Sequence, residues 1–197
     1  MKNWHIVKDS ILPGNILKQL NECWPNSSWP GWIRYRETHH SKQASDLTSL
    51  LPRLAGEILY YLAKLPWNEW TGRDDLIPDL GLWGAGLHEM MNGDIIGWHQ
   101  DADYHPRLGL SRVLSVCLYV HQEWEYWWGG NLDLGVPPTV QPIPNRLVAF
   151  SRDIHHQVTR VNRPDGKSRR SLVLFLYGPP NSMRYPRARF DSVKDSI

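Results

Sequence analysis

From about Gly81 onward the chain breaks into short apolar runs separated by turn formers: Asn92-Gly93, Gly129-Gly130, Pro137-Pro138 and Pro144-Asn145. Runs this short suit strands, and turn pairs at such close spacing keep successive strands antiparallel. The expected architecture is an antiparallel sandwich or jelly roll. The first third reads differently. In PGNILKQLNECW, Ile16, Leu17, Leu20 and Trp24 recur at helical spacing behind Pro13. In PRLAGEILYYLAKLP, Leu54, Ile58, Leu59, Leu62 and Leu65 do the same until Pro66 stops the helix. Helices with one apolar face need a sheet to cover. The chain is therefore expected to form a single domain over residues 1–197, mainly helical over 1–80, a β core over 81–178 and a polar tail over 179–197. Its 197 residues and 41% hydrophobic content suffice for a substantial core.

Two of the expected strands have faces that differ in kind. In SRVLSVCLYV, Leu114, Val116, Leu118 and Val120 share one side, and Ser115, Cys117 and Tyr119 share the other. A wall with one apolar and one mildly polar face suits a barrel lining a small cavity. In KSRRSLVLFLYG, Arg169, Ser171, Val173 and Phe175 alternate with Arg170, Leu172, Leu174 and Leu176. Arg169 and Ser171 together offer a carboxylate a fork of donors that a lysine cannot match. Arg170 heads a leucine face and reads as a strand-end residue reaching solvent.

The stretch GWHQDADYH supplies the candidate chemistry. On an extended segment His99 and Asp101 point to the same side, and an imidazole with a carboxylate suits a first-row divalent ion. A third ligand from a distant strand would complete a facial triad with open positions. NRLVAFSRDIHHQV offers two histidines after an apolar strand. His156 shares a side with Val158, whereas His155 shares one with Gln157 and Thr159, so periodicity does not choose between them.

The ordered set HQD, RVLSVCLYV, WWGGNLDL, RLVAF, HQV and RRSL, spread over Gly84 to Gly178, resembles the 2-oxoglutarate and Fe(II)-dependent dioxygenases, in particular their prolyl 4-hydroxylase-like branch. The resemblance implies a mainly β fold with supporting helices, the double-stranded β-helix, a jelly-roll and cupin-like barrel. It implies that His99, Asp101 and His156 bind Fe(II), the valine two residues after the histidine selecting His156 over His155. Arg169 with Ser171 is implied to bind the far carboxylate of 2-oxoglutarate, Tyr119 to assist it, and Leu132 to line the cosubstrate pocket. The implied reaction consumes molecular oxygen and 2-oxoglutarate, releases succinate and carbon dioxide, and hydroxylates an unactivated C–H bond, with ascorbate as an accessory reductant. The sequence departs from the family pattern in HEMMNGD, which lacks an aromatic before the Gly-Asp turn, and in NRPDGKS, which lengthens a hairpin. Both departures bear on substrate choice.

Composition narrows the partners. A formal net charge of +2 without a basic run gives no phosphate-tracking stripe, and RRSLVLFL lacks the second arginine of the nucleic-acid demethylases, so no nucleic acid is expected. MKNWHIVKDS has no apolar signal core and no segment is long enough to cross a bilayer, so no membrane partner is expected. Cys23 and Cys117, far apart in apolar surroundings, read as two buried reduced thiols of a soluble cytoplasmic protein. The expected substrate is a prolyl residue in a peptide or protein, with HQEWEYWWGG and PNSSWPGWIRYRE as aromatic candidates for clamping it, although most of the eleven tryptophans suit the core. A free amino acid or small molecule is the alternative substrate. A non-catalytic, metal-binding cupin-like module is the alternative class, and it has no need of an Arg169–Ser171 anchor.

Overall fold

The two alternating segments form the longest strands of a computed structural model that describes residues 4–26, 28–35, 41–44, 52–79, 86–105 and 107–179. The elements are β1 (His5–Lys8), α1 (Gly14–Glu22), β2 (Ile33–Tyr35), β3 (Ser41–Ala44), α2 (Pro52–Ala63), α3 (Trp67–Thr71), β4 (Ile77–Pro78), β5 (Gly86–Met90), β6 (Ile96–His99), β7 (Ser111–Tyr119), β8 (Leu132–Asp133), β9 (Leu147–Ser151), β10 (His156–Val158) and β11 (Arg169–Gly178). Strands β7 and β11 pair antiparallel from Ser171↔Tyr119 to Gly178↔Ser111. They centre an eight-stranded sheet ordered β1-β9-β7-β11-β5-β3-β2, with β4 on the far end of β11. A second, three-stranded sheet has the order β6-β10-β8. This is the jelly roll of the double-stranded β-helix.

The alternation along each central strand sorts its side chains into two cores. Leu114, Leu118, Leu172 and Leu174 face the helices and pack with Leu20 of α1 and Ile58 and Leu62 of α2. Met90, Ile96, Tyr119, Leu132, Val148, Phe150 and Val158 form a separate cluster. Strand β9 is buried along its whole length because it serves both: Leu147 and Ala149 belong to the helix-side core, Val148 and Phe150 to the other. Covering both faces of the large sheet explains why this strand reads as a continuous apolar run rather than an alternating one.

The first eighty residues contribute more than helices. Strands β1, β2 and β3 extend the large sheet at its two ends, β1 on β9 and β3 on β5. No period-two signal marks them, since β2 is three residues long and β3 reads SKQA; pairing with a formed neighbour overrides weak local preference. Pro66 does end one helix, and it then caps the short α3, whose Trp67 Nε1 donates to Leu62 O at 2.9 Å. The expectation of two buried thiols is corrected: Cys23 follows the end of α1 and is exposed, and Cys117 is half-buried. The tail beyond residue 179 lies outside the described residues. Among the described residues no helix is long and apolar enough to cross a membrane.

Candidate metal and cosubstrate site

Strand register brings the distant histidine to the first one. His99 closes β6, His156 opens β10, and the two are direct cross-strand partners. The ladder slips between them: His156↔His99 is followed by Val158↔Ile96, so β6 spends three steps where β10 spends two. This bulge changes which side chains face inward. Ile96 joins the core and His99 the cavity, while Trp98 is left exposed. The imidazoles stand 4.2 Å apart between centroids. His99 Nδ1 lies 2.9 Å from Gly97 O and His156 Nδ1 lies 3.0 Å from Ile154 O. These carbonyls favour the tautomer with the proton on Nδ1, which leaves Nε2 as the nitrogen available to a metal.

Asp101 lies two residues beyond the end of β6, so strand alternation does not aim it. Side chains of β7 do. Ser115 Oγ donates to Asp101 Oδ2, and Arg112 Nη1 lies 3.7 Å from Oδ1. The carboxylate then faces both rings, with His99 Nε2 4.0 Å from Oδ1 and His156 Nε2 4.0 Å from Oδ2. One ligand atom from each of the three residues falls within 4.8 Å of the others, a separation one small cation can bridge. His155, which periodicity left open, is exposed and outside this cluster.

A cavity of about 200 Å3 runs from the triad into the barrel, walled by Ile96, Leu132, Phe150, Val158, Val173 and Phe175, with Arg169 and Ser171 at its lining. Arg169 is only 3% exposed. Its Nε donates to Gly130 O at 2.8 Å and its Nη1 lies 3.5 Å from Ser171 Oγ. Among the described residues no carboxylate pairs with this buried cation. Gly130 permits the approach: at φ 65° it tolerates the left-handed backbone, and a Cβ there would stand 3.0 Å from Arg169 Cδ. Arg170 lies on the opposite face, as its leucine neighbours require, but it is held rather than free: it is 3.7 Å from Glu89 and 3.5 Å from Asn21.

Tyr119 stands across the ladder from Ser171, and its ring lies 4.8 Å below the Arg169 guanidinium. It is fully buried, its hydroxyl has no hydrogen-bond partner, and burial pushes its pKa up. The ring therefore backs Arg169, while the cavity wall itself is made by Ser115 and Cys117 of the same strand face. Burial also raises the Cys117 thiol pKa, ahead of the opposing pull of Arg169. Sequence reasoning overlooked His88, which lines the cavity from β5, and Arg112. Only structure exposes Arg112, because alternation assigns it to the helix-side face with Leu114.

Residues 85–177 match the family model of the 2OG-Fe(II) oxygenase superfamily, and this match contains every member of the triad and the Arg169–Ser171 pair. The match covers just under half of the chain, and over that core the chain is similar to this superfamily. Fe(II) and 2-oxoglutarate are the groups this superfamily is named for, and both bear on the site of this chain. In structure the chain is similar to a prolyl-4-hydroxylase from Pseudomonas putida, at 19% identity and a TM-score of 0.59, covering 91% of this chain and 94% of that one. It is similar also to a prolyl hydroxylase from Trichoplax adhaerens in complex with a hypoxia inducible factor peptide fragment, at 14% identity and a TM-score of 0.60, covering 90% and 84%. These likenesses show a shared fold. A stretch of 118 residues is 28% identical to an endoglucanase of Paenibacillus polymyxa, covering 48% of this chain and only 30% of that protein's length.

Proposed function

We propose that this oxygenase hydroxylates a prolyl residue in a peptide or protein, with His99, Asp101 and His156 holding Fe(II), and Arg169 and Ser171 anchoring 2-oxoglutarate. The observation that carries the proposal is that a two-histidine, one-carboxylate cluster and a buried arginine without a carboxylate partner open onto one cavity. The residues fit both groups. Two neutral imidazoles and a carboxylate are the donor set of non-haem Fe(II) oxygenases, in which open positions face the substrate. A dicarboxylate reaching into the barrel would give Arg169 its missing counter-charge, and the orphaned Tyr119 hydroxyl marks the same end of the barrel as polar.

Bound iron, with 2-oxoglutarate as co-reductant and ascorbate as an accessory reductant, supplies the oxidation of an unactivated C–H bond. The protein does the rest. Gly97 O and Ile154 O fix the histidine tautomers; Ser115 and Arg112 fix the carboxylate. Arg169, held by Gly130 O and lying over the Tyr119 ring, would hold the far carboxylate of the cosubstrate. Ile96, Leu132, Phe150 and Val158 keep the site apolar and exclude water from a strong oxidant.

A peptide substrate is supported by the two prolyl hydroxylases it resembles in fold, one holding a peptide, and by aromatic faces turned to solvent. In HQEWEYWWGG, Trp124 and Trp128 meet edge to face and both lie under the Arg163 guanidinium, while Tyr126 is 74% and Trp127 70% exposed. Such faces suit proline-containing chains. A cytoplasmic setting, with both cysteines reduced, belongs to the same proposal. The test incubates Fe(II)-loaded protein with 2-oxoglutarate, oxygen, proline-containing peptides and free amino acids, following succinate and a mass gain of one oxygen. Hydroxylated prolyl residues are expected. Hydroxylation of a free amino acid alone overturns the peptide reading, and absence of succinate under every condition overturns the enzyme.

A further inference from the structure

Arg112 is one of the few charged side chains the fold buries, at 3% exposure, and the fold breaks a ladder to bury it. Between β7 and β11 the register runs Leu176↔Leu114 and then Tyr177↔Arg112, which leaves Val113 as an extra residue. That bulge reverses the phase of the strand. Val113 packs with the helix-side core, and Arg112 turns to the side of Ser115 and Phe175. Its guanidinium lies 3.3 Å over the Phe175 ring, and Nη2 sits 3.4 Å from the Tyr177 hydroxyl. Nε is buried without a partner. The one carboxylate paired with this cation among the described residues is Asp101, 3.7 Å from Nη1.

We propose that Arg112 is a positioning residue whose charge holds the Asp101 carboxylate in its ligand geometry before any metal arrives. The inference rests on the reading of His99, Asp101 and His156 as a metal site, and it explains how a carboxylate beyond the end of β6 is aimed at all. A loop carboxylate has several rotamers open to it and must lose that freedom on binding metal. Here Arg112 takes it away in advance, and Arg112 is itself held by the Phe175 ring and the Tyr177 hydroxyl. Ser115 supplies direction from the other oxygen, and Arg112 supplies charge. The same pairing makes the metal-free protein sensitive to either partner: loss of one removes the charged partner that the Arg112–Asp101 contact gives the other, leaving only its neutral hydrogen bonds.

Two measurements decide it. In EDTA, thermal melts of wild type, Asp101→Asn, Arg112→Met and the double variant need no metal. Asp101→Asn melts below wild type, and adding Arg112→Met to it raises the melting temperature again, because Met packs on Phe175 without a charge. A further fall in the double variant overturns the proposal, since that is what an arginine kept only for packing would give. Mn(II) titration of the folded proteins by quenching of tryptophan fluorescence comes second. Arg112→Met is expected to bind about tenfold or more weakly, in the range typical of groups that orient metal ligands, with Arg112→Lys in between. Wild-type affinity in Arg112→Met overturns the positioning role. A wild-type protein that binds no Mn(II) would instead refute the metal site itself, an outcome distinct from either of these.

Discussion

Replacing Arg169 tests the cosubstrate end of the cavity, and the structure sets the size of the effect. The guanidinium is almost fully buried, its Nε is committed to Gly130 O at 2.8 Å, and no carboxylate pairs with it among the described residues. A dicarboxylate entering the barrel sheds water around its far charge and regains the loss only through that fork. Removing one member of such a buried pair costs about 3–5 kcal/mol. At about 1.4 kcal/mol per tenfold, 2-oxoglutarate binding by Arg169→Met falls by roughly two to three and a half orders of magnitude. Mn(II) or Fe(II) affinity is unaffected, because the triad makes no contact with Arg169. The control is Arg170→Ala. Arg170 faces the helices, beside Glu89 and Asn21 and 5.4 Å from the Trp24 ring, so its loss costs stability and leaves cosubstrate affinity near wild type. Anaerobic titration of the Fe(II) proteins with 2-oxoglutarate, followed through the metal-to-cosubstrate absorption band, reads both variants on one scale. Equal losses in the two, or a loss in Arg170→Ala alone, would refute the strand phase on which the anchor rests.

Three further outcomes are expected. His156→Ala abolishes Mn(II) binding while His155→Ala keeps it, since only His156 is turned into the cluster; fluorescence titration of both checks this, and metal loss confined to the His155 variant assigns the wrong ligand. Gly130→Ala forces a side chain onto a residue at φ 65° and within 3.0 Å of Arg169 Cδ. It should lower stability by about 1–3 kcal/mol in urea unfolding and weaken 2-oxoglutarate binding too, whereas wild-type behaviour on both counts would mean the turn relaxes freely. His121 is buried and neutral, its pKa pressed by desolvation from 6.5 to about 3. The unfolded chain takes up this proton and the folded one does not between those values, so His121 makes stability fall as pH drops from 6.5 toward 3, by about 1.4 kcal/mol per pH unit at most. His121→Gln should flatten that slope in urea unfolding at pH 5 to 6.5, and an unchanged slope excludes His121 as its source.

Much of the site was legible because β11 over Arg169–Phe175 and β7 over Leu114–Tyr119 keep strict alternation. Ser171 and Val173 line the cavity while Leu172 and Leu174 face the helices, as the run RRSLVLFL implies. The same logic placed Ser115 and Cys117 on the cavity wall. It failed wherever the period broke. Trp98 shares a parity with Ile96, yet Ile96 is buried and Trp98 is not, because the β6 bulge lies between them and turns His99 inward instead. Arg112 shares a parity with Leu114, and the β7 bulge separates those two in the same way. Strand β3 left no trace, since a polar four-residue segment held between β5 and β2 takes its conformation from its partners rather than from its own sequence pattern.

Both bulges adjoin Asp101, and this coincidence has a mechanical reading. A regular ladder presents every second residue to the cavity, and a two-sheet barrel fills those positions with apolar side chains to build its core. A metal site needs polar groups from neighbouring strands to converge on one point, at a phase the core pattern has already claimed. An extra residue in β6 lets Ile96 serve the core and His99 serve the site on the same short strand. An extra residue in β7 does the converse, giving Val113 to the helices and Arg112 to the carboxylate. Each bulge forfeits regular ladder pairing locally, a loss that stability alone would not favour. The β6 and β7 segments, where the sequence stops predicting its own faces, are therefore the ones where the fold is bent around the proposed ligand set.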